Sequence, residues 1–152
     1  MASQDTPKTI EIQGYGIQKE TTAQGTITPG MLIERVTDGV QAHSTAGGPA
    51  SPHVAVEYGL TGRTIDDDYS ADDQVLFKTY TPGSVVYGLV AAGASAISQY
   101  DFLASASDGT LATSGTDEVV VAQALEAVDN SGGGSAVRIK AEIVPAHRTN
   151  PA

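Results

Sequence analysis

Turn-forming residues punctuate this chain so densely that only short extended segments fit between them. There are 17 Gly and 7 Pro in 152 residues, and the intervals are rich in Thr, Val and Ser, which favour half-buried strands over helices. The clearest interval is "AVRIKAEIV", where Val137, Ile139, Ala141 and Ile143 alternate with Arg138, Lys140 and Glu142. A period of two sends one set to a core and the other to solvent. Similar alternation places Ile10 and Ile12 on one face of "KTIEIQGYGI" and Glu11 on the other.

The turn signals give the order of elements. "TPG" at Thr28–Gly30 precedes the strand "MLIERVT", and Asp38-Gly39 marks a hairpin whose return is "VQAHS". "HVAVEY" and "QVLFKTYT" follow, and a second "TPG" at Thr81–Gly83 introduces "SVVYGLV". A further hairpin turns at Asp108-Gly109, and "EVVVAQALEAV" and "AVRIKAEIV" flank the Gly-rich loop "DNSGGGS". A short helix is predicted in "QALEAV" or near Ala91–Ala96. Ile27–Gly39 aligns without gaps to Ile97–Gly109, and each stretch is followed by a Val/Ala strand. The pattern predicts an all-β domain, a small antiparallel β-barrel or β-sandwich of about eight to ten short strands. At most one or two short helices accompany it. An extended N-terminal arm (1–12), one β domain (13–145) and a flexible C-terminal tail (146–152) divide the chain.

Charge excludes one class of function. The net charge is −10, with basic residues scattered, so no patch exists to displace counterions from a nucleic-acid backbone. The N-terminal "MASQDTPKTIEI" lacks the apolar run of a signal peptide. "SVVYGLVAAGASAI" is too short and too Gly-broken to span a bilayer, so no membrane partner is predicted. Cysteine is absent, which removes disulfides and thiolate metal sites. Aromatic residues are only 5% of the chain, so large core anchors are few and partner contacts gain in importance.

The strongest chemical candidate is "RTIDDDYSADDQVLF", which gathers Asp66, Asp67, Asp68, Asp72 and Asp73. An EF-hand needs Gly at its sixth position and Glu at its twelfth. Counted from Asp66 these are Ala71 and Lys78, and from Asp68 they are Asp73 and Thr79, so the template fails. An irregular cation site stays open beside the alternative of a solvated loop whose Asp side chains cap turns. Glycoside hydrolysis is disfavoured because no Trp is present to stack a sugar. His43, His53 and His147 lack metal-ligand spacing and are predicted to be exposed loop residues. No nucleophile elbow or phosphate-binding loop is present. The chain reads as a non-enzyme without cofactors.

The order of several motifs carries a resemblance: "IQKETTAQGTITPGMLIE", "HSTAGG", "GLTGRTIDDDYSADDQVLFKTYTPGSVVYGLVA", "ISQYDFLASASDGTLA" and "AQALEAVDNSGG…VRIKAEIV". Taken together, from about Ile10 to Val144, the chain resembles the small head decoration (cement) proteins of tailed viruses. That resemblance implies an all-β domain without catalytic residues on the outer capsid surface of a virion. It also implies the major capsid protein as partner and self-association as a homotrimer. An extended N-terminal segment would reach the shell, with Thr9, Ile10, Glu11 and Ile12 as the interface. Related sequences carry a Gly-Asp step before a strand, where this chain has Asp72-Asp73 and Tyr100-Asp101. The missing Gly predicts type I turns there. The acidity fits a virus of a saline host. Another virion module, such as a tail, fibre or baseplate adhesin that binds a host-surface glycan, is the alternative.

Overall fold

A computed structural model describes residues 6–145; residues 1–5 and the predicted tail, 146–152, lie outside the described residues. Eleven strands make up the domain. They are β1 (Glu11–Gln13), β2 (Gly16–Thr22), β3 (Ile33–Val36), β4 (Gly39–Ala42), β5 (His53–Ala55) and β6 (Gln74–Tyr80). The second half adds β7 (Val85–Val90), β8 (Phe102–Ser105), β9 (Leu111–Thr113), β10 (Ala122–Ala124) and β11 (Val137–Ile143). A single 3-10 turn, Gly59–Thr61, is the sole helical element among the described residues.

The strands form three antiparallel sheets. One has the order β1-β7-β11-β10-β8-β9, a second β2-β6-β5, and the third is the β3-β4 hairpin. Among the described residues no barrel closes, so the sandwich describes the fold. The three-stranded sheet is its middle layer, as β6 shows. Leu76 and Tyr80 of β6 pack with Val54, Val86, Leu103, Ile139 and Ile143 against the six-stranded sheet. Val75 and Phe77 face the other way and pack with Ile33 and Val40 of the hairpin, and with Ile27 and Tyr69. A strand buried on both faces needs a continuous apolar run, and "VLF" supplies it.

Strand pairing overrides local preference where a helix was predicted. At the start of "QALEAV", Gln123 pairs with Glu142 and Phe102, and Ala124 and the preceding Ala122 are buried. Ala is a good helix former, but its small side chain also lets the strands meet closely, and the ladder bonds decide. Around Ala91–Ala96 the chain makes a turn instead, with Gly93 at φ 72. The buried Asn130 amide holds that turn, donating to the carbonyls of Ala91 (2.8 Å) and Ser135 (3.0 Å).

One backbone device recurs four times. In Thr28–Met31, Ser70–Asp73, Thr81–Ser84 and Ser98–Asp101, the fourth residue's N–H donates to the first residue's carbonyl. The third residue always has positive φ: Gly30 at 99, Asp72 at 70, Gly83 at 93 and Tyr100 at 71. Its N–H donates to the carbonyl of Ala55, Ala23, Ile143 or Ala124 respectively. The fourth residue's carbonyl accepts the N–H of that same residue. Each turn therefore clamps one residue of a distant segment with a pair of hydrogen bonds. Type I turns, predicted at Asp72-Asp73 and Tyr100-Asp101, need negative φ at the third position, so that expectation is corrected. The carboxylate does the local work instead: Asp73 and Asp101 accept the N–H of the first turn residue, Ser70 or Ser98, both at 2.9 Å.

Candidate functional site

In the acidic stretch between Arg63 and Phe77 three of the five Asp carboxylates, those of Asp66, Asp67 and Asp73, have local partners. Asp66 pairs with Arg138 at 3.1 Å, and the Arg138 guanidinium also donates to the carbonyls of Pro29 and Ile65. Asp67 accepts the Thr64 N–H at 2.7 Å and the Thr64 hydroxyl at 3.1 Å. Asp72 supplies the left-handed turn residue, a conformation that Asp tolerates better than most. Asp73 accepts from Ser70 and from both terminal nitrogens of Arg63, each at 3.2 Å. Asp68 is exposed. Backbone N–H donation comes first among the causes that lower the pKa of Asp67 and Asp73 below their ordinary 3.8. Among the described residues, no three His, Cys, Asp or Glu side chains converge as a metal ion would require.

The histidines are placed differently from the expectation. His43 is buried at 1% exposure, not looped out. Its Nε2–H donates to the Pro49 carbonyl at 2.9 Å, which leaves Nδ1 to accept the Ser105 hydroxyl at 2.7 Å. Glu34 stands 3.8 Å from Nε2. Ser, His and Glu thus meet, yet the Ser105 residue is only 3% exposed, so its hydroxyl has no approach for a substrate. The trio joins the end of the β3-β4 hairpin to β8. His53 is half-buried on β5, where Nδ1 meets the Thr79 hydroxyl at 2.8 Å. Its pKa is lowered, first by burial and then by the charges of Arg35 and Lys19. His147 lies outside the described residues.

The residues predicted to reach a capsid divide between core and surface. Ile10 is fully buried, its N–H donating to Glu57 at 3.1 Å and its carbonyl accepting the Tyr87 N–H at 2.8 Å. Glu11 pairs with Lys78 at 3.0 Å, and Thr9 donates its hydroxyl to the Glu11 carbonyl. Glu11–Gln13 is the edge strand of the six-stranded sheet. Ile12, Tyr15 and Ile17 stand exposed along this corner. The root of the arm thus belongs to the folded body, a placement that the Ile10/Ile12 alternation did not reveal. The Tyr80 hydroxyl is buried near the carboxylates of Glu11 and Glu57, and among the described residues it finds no partner within hydrogen-bond geometry. Burial first, then the two carboxylates, push its pKa up.

Among the described residues, two of the surface grooves reach about 600 Å³. One, of about 590 Å³, lies between Thr6–Lys8 and Ile65, Tyr87, Val137 and Arg138. The other, of about 600 Å³, lies between Lys19–Thr21 of β2 and Arg35–Val40, with Phe77 on its floor.

These features define an antiparallel β-sandwich with open edges and structural carboxylates. No protein-family model and no curated protein matches the chain. Among solved structures, the fold is similar to the head fibre gp8.5 N base of bacteriophage phi29, with a TM-score of 0.56 at 15% sequence identity. The match covers 90% of this chain and 100% of that one.

Proposed function

We propose that this chain is a virion structural protein that decorates the outer capsid surface of a tailed virus and stabilises it by clamping across major capsid protein subunits. The observation that carries the reading is the fold likeness to a head fibre base, which spans the whole of that solved chain. The motif order from Ile10 to Val144 supports it separately, since it lies in the sequence and not in the fold. A shell under internal pressure gains from many modest clamps, whose avidity multiplies when several sites on one particle are engaged. A homotrimer would supply such multivalency.

The test is imaging of the particle that contains this chain. The reading expects density for the sandwich outside the shell, bridging capsid subunits, at a copy number approaching that of the major capsid protein. Density confined to the tail or baseplate, or specific binding to a host-surface glycan, would favour the adhesin reading instead. Purified chain should also bind expanded empty capsids and raise their thermal stability.

A further inference from the structure

The groove beside β2 has features that the decoration role does not require, and they point to a ligand. β2 pairs with β6 on one side only. Among the described residues, no backbone group occupies its outer edge from Gly16 to Thr21. A free edge of this length is a template for an added strand. Strand alternation sends Lys19 and Thr21 toward the face that carries Phe77, because Lys19 pairs with Phe77 and Thr21 with Val75. Arg35 lies on that same face, its guanidinium 5.9 Å from the Phe77 ring centre. Neither Lys19 nor Arg35 has a carboxylate within 4 Å among the described residues. Two acids, Glu20 and Asp38, also line the groove. Glu20 alternates to the opposite face and accepts the Tyr58 hydroxyl at 3.1 Å, and Asp38 sits at the exposed hairpin tip.

In a chain of net charge −10, two cations without carboxylate partners stand beside a free strand edge. We propose that this groove receives an acidic extended segment of a partner protein, added as a strand to the edge of β2. Alternate carboxylates of the added strand would face Lys19 and Arg35, and its backbone would take up the free N–H and C=O groups of β2. The intervening side chains would lie over the opposite face, beside Gln18 and Glu20. The half-buried His53 senses the same field, since Arg35 and Lys19 both disfavour its protonation. The inference goes beyond the proposed function and does not depend on where in a virion the protein sits.

The probe is a capped synthetic peptide of alternating Glu and Val, titrated into the full chain by calorimetry with amide NMR mapping. Binding should shift the amides of Gly16–Thr21 and weaken as salt rises. The double variant Lys19→Glu/Arg35→Glu should lose about tenfold or more in affinity and gain affinity for the matching Lys/Val peptide. Peptide N-methylated along one edge should fail to bind. Absence of binding to the wild-type chain would overturn the proposal, as would equal binding of the Lys/Val and Glu/Val peptides. Undiminished binding of the methylated peptide would overturn the strand addition. Should the double reversal unfold, the single Lys19→Gln variant and the wild-type salt series carry the same comparison.

Discussion

Tyr100→Gly tests the left-handed turns by sign rather than by size. Tyr100 stands at φ 71, where a residue with a Cβ is strained by about 1–2 kcal/mol. Gly relieves that strain, but it enlarges the freedom of the unfolded chain at a cost of about 0.5–1 kcal/mol. The side chain is 60% exposed, so its removal sacrifices little burial. The turn's own bonds, Asp101 N–H to Ser98 and Tyr100 N–H to Ala124, are backbone bonds and survive. The net is a gain of about 0.5–1 kcal/mol, or roughly 1–4 °C in melting temperature for a domain of this size. A type I turn would remove the strain and leave only the entropy, so the same variant would lose stability. Gly83→Ala is the reciprocal. Its φ is 93 and an added Cβ meets nothing within 4 Å, so the loss of about 1 kcal/mol is conformational alone. Chemical denaturation of both variants decides the matter. A destabilised Tyr100→Gly, or a stabilised Gly83→Ala, would refute the left-handed assignment.

Four further outcomes are expected. Tyr80→Phe should raise stability by about 1 kcal/mol, because it removes a buried hydroxyl without a partner among the described residues; a loss on denaturation would reveal a partner in solution. Ile10→Ala should cost about 2–5 kcal/mol on denaturation, since Ile10 is wholly inside the core. The folded pKa values of Asp67, Asp73 and Asp129 lie below the ordinary 3.8, so their contribution is complete above that pH and is lost as pH falls through the lower folded values; Asp67→Asn with Asp73→Asn should flatten this acid limb in pH-dependent melting. Calcium and magnesium should shift the melting temperature equally at matched ionic strength, and a shift at micromolar calcium without a magnesium counterpart would restore a cation site to the acidic stretch.

Legibility followed the range of the interaction. Period-two alternation and turn residues located the strands, because those signals act between neighbours in sequence. Asp38-Gly39 does join β3 to β4, with Asp38 at φ 66. "AVRIKAEIV" does alternate, with Ile139, Ala141 and Ile143 in the core. The placement of His43 was illegible because its reason is tertiary. Only the fold brings Ser105 and the Pro49 carbonyl to its ring. The burial of Ile10 has the same cause, since Glu57 and Tyr87 reach its backbone only in the fold. The groove at β2 is not legible in sequence because Lys19 and Arg35 lie on strands of two different sheets and meet only over Phe77 of β6.

The ungapped match between Ile27–Gly39 and Ile97–Gly109 captured half of a larger regularity. Its two members are the first and last of the four clamping turns, and the strands that follow them, β5 and β10, provide the clamped residues Ala55 and Ala124. The hairpin tips that follow are not alike. Val36 pairs with Gly39 around two residues in one case, and Ser105 pairs with Leu111 around five in the other. The other two turns, Ser70–Asp73 and Thr81–Ser84, carry only local marks in sequence, the Asp72-Asp73 step and the second "TPG", while the clamp itself is built from backbone groups. It asks only for a residue that accepts positive φ at the third position, and Gly, Asp and Tyr all fill it here. Each clamped residue is buried, with Ala23, Ala55 and Ala124 at 0% and Ile143 at 3% exposure. Buried N–H and C=O groups must find partners, and at the ends of short strands the regular ladder runs out of them. The clamping turns supply those partners, which is how a chain with so many turns and so few large side chains closes a sandwich core.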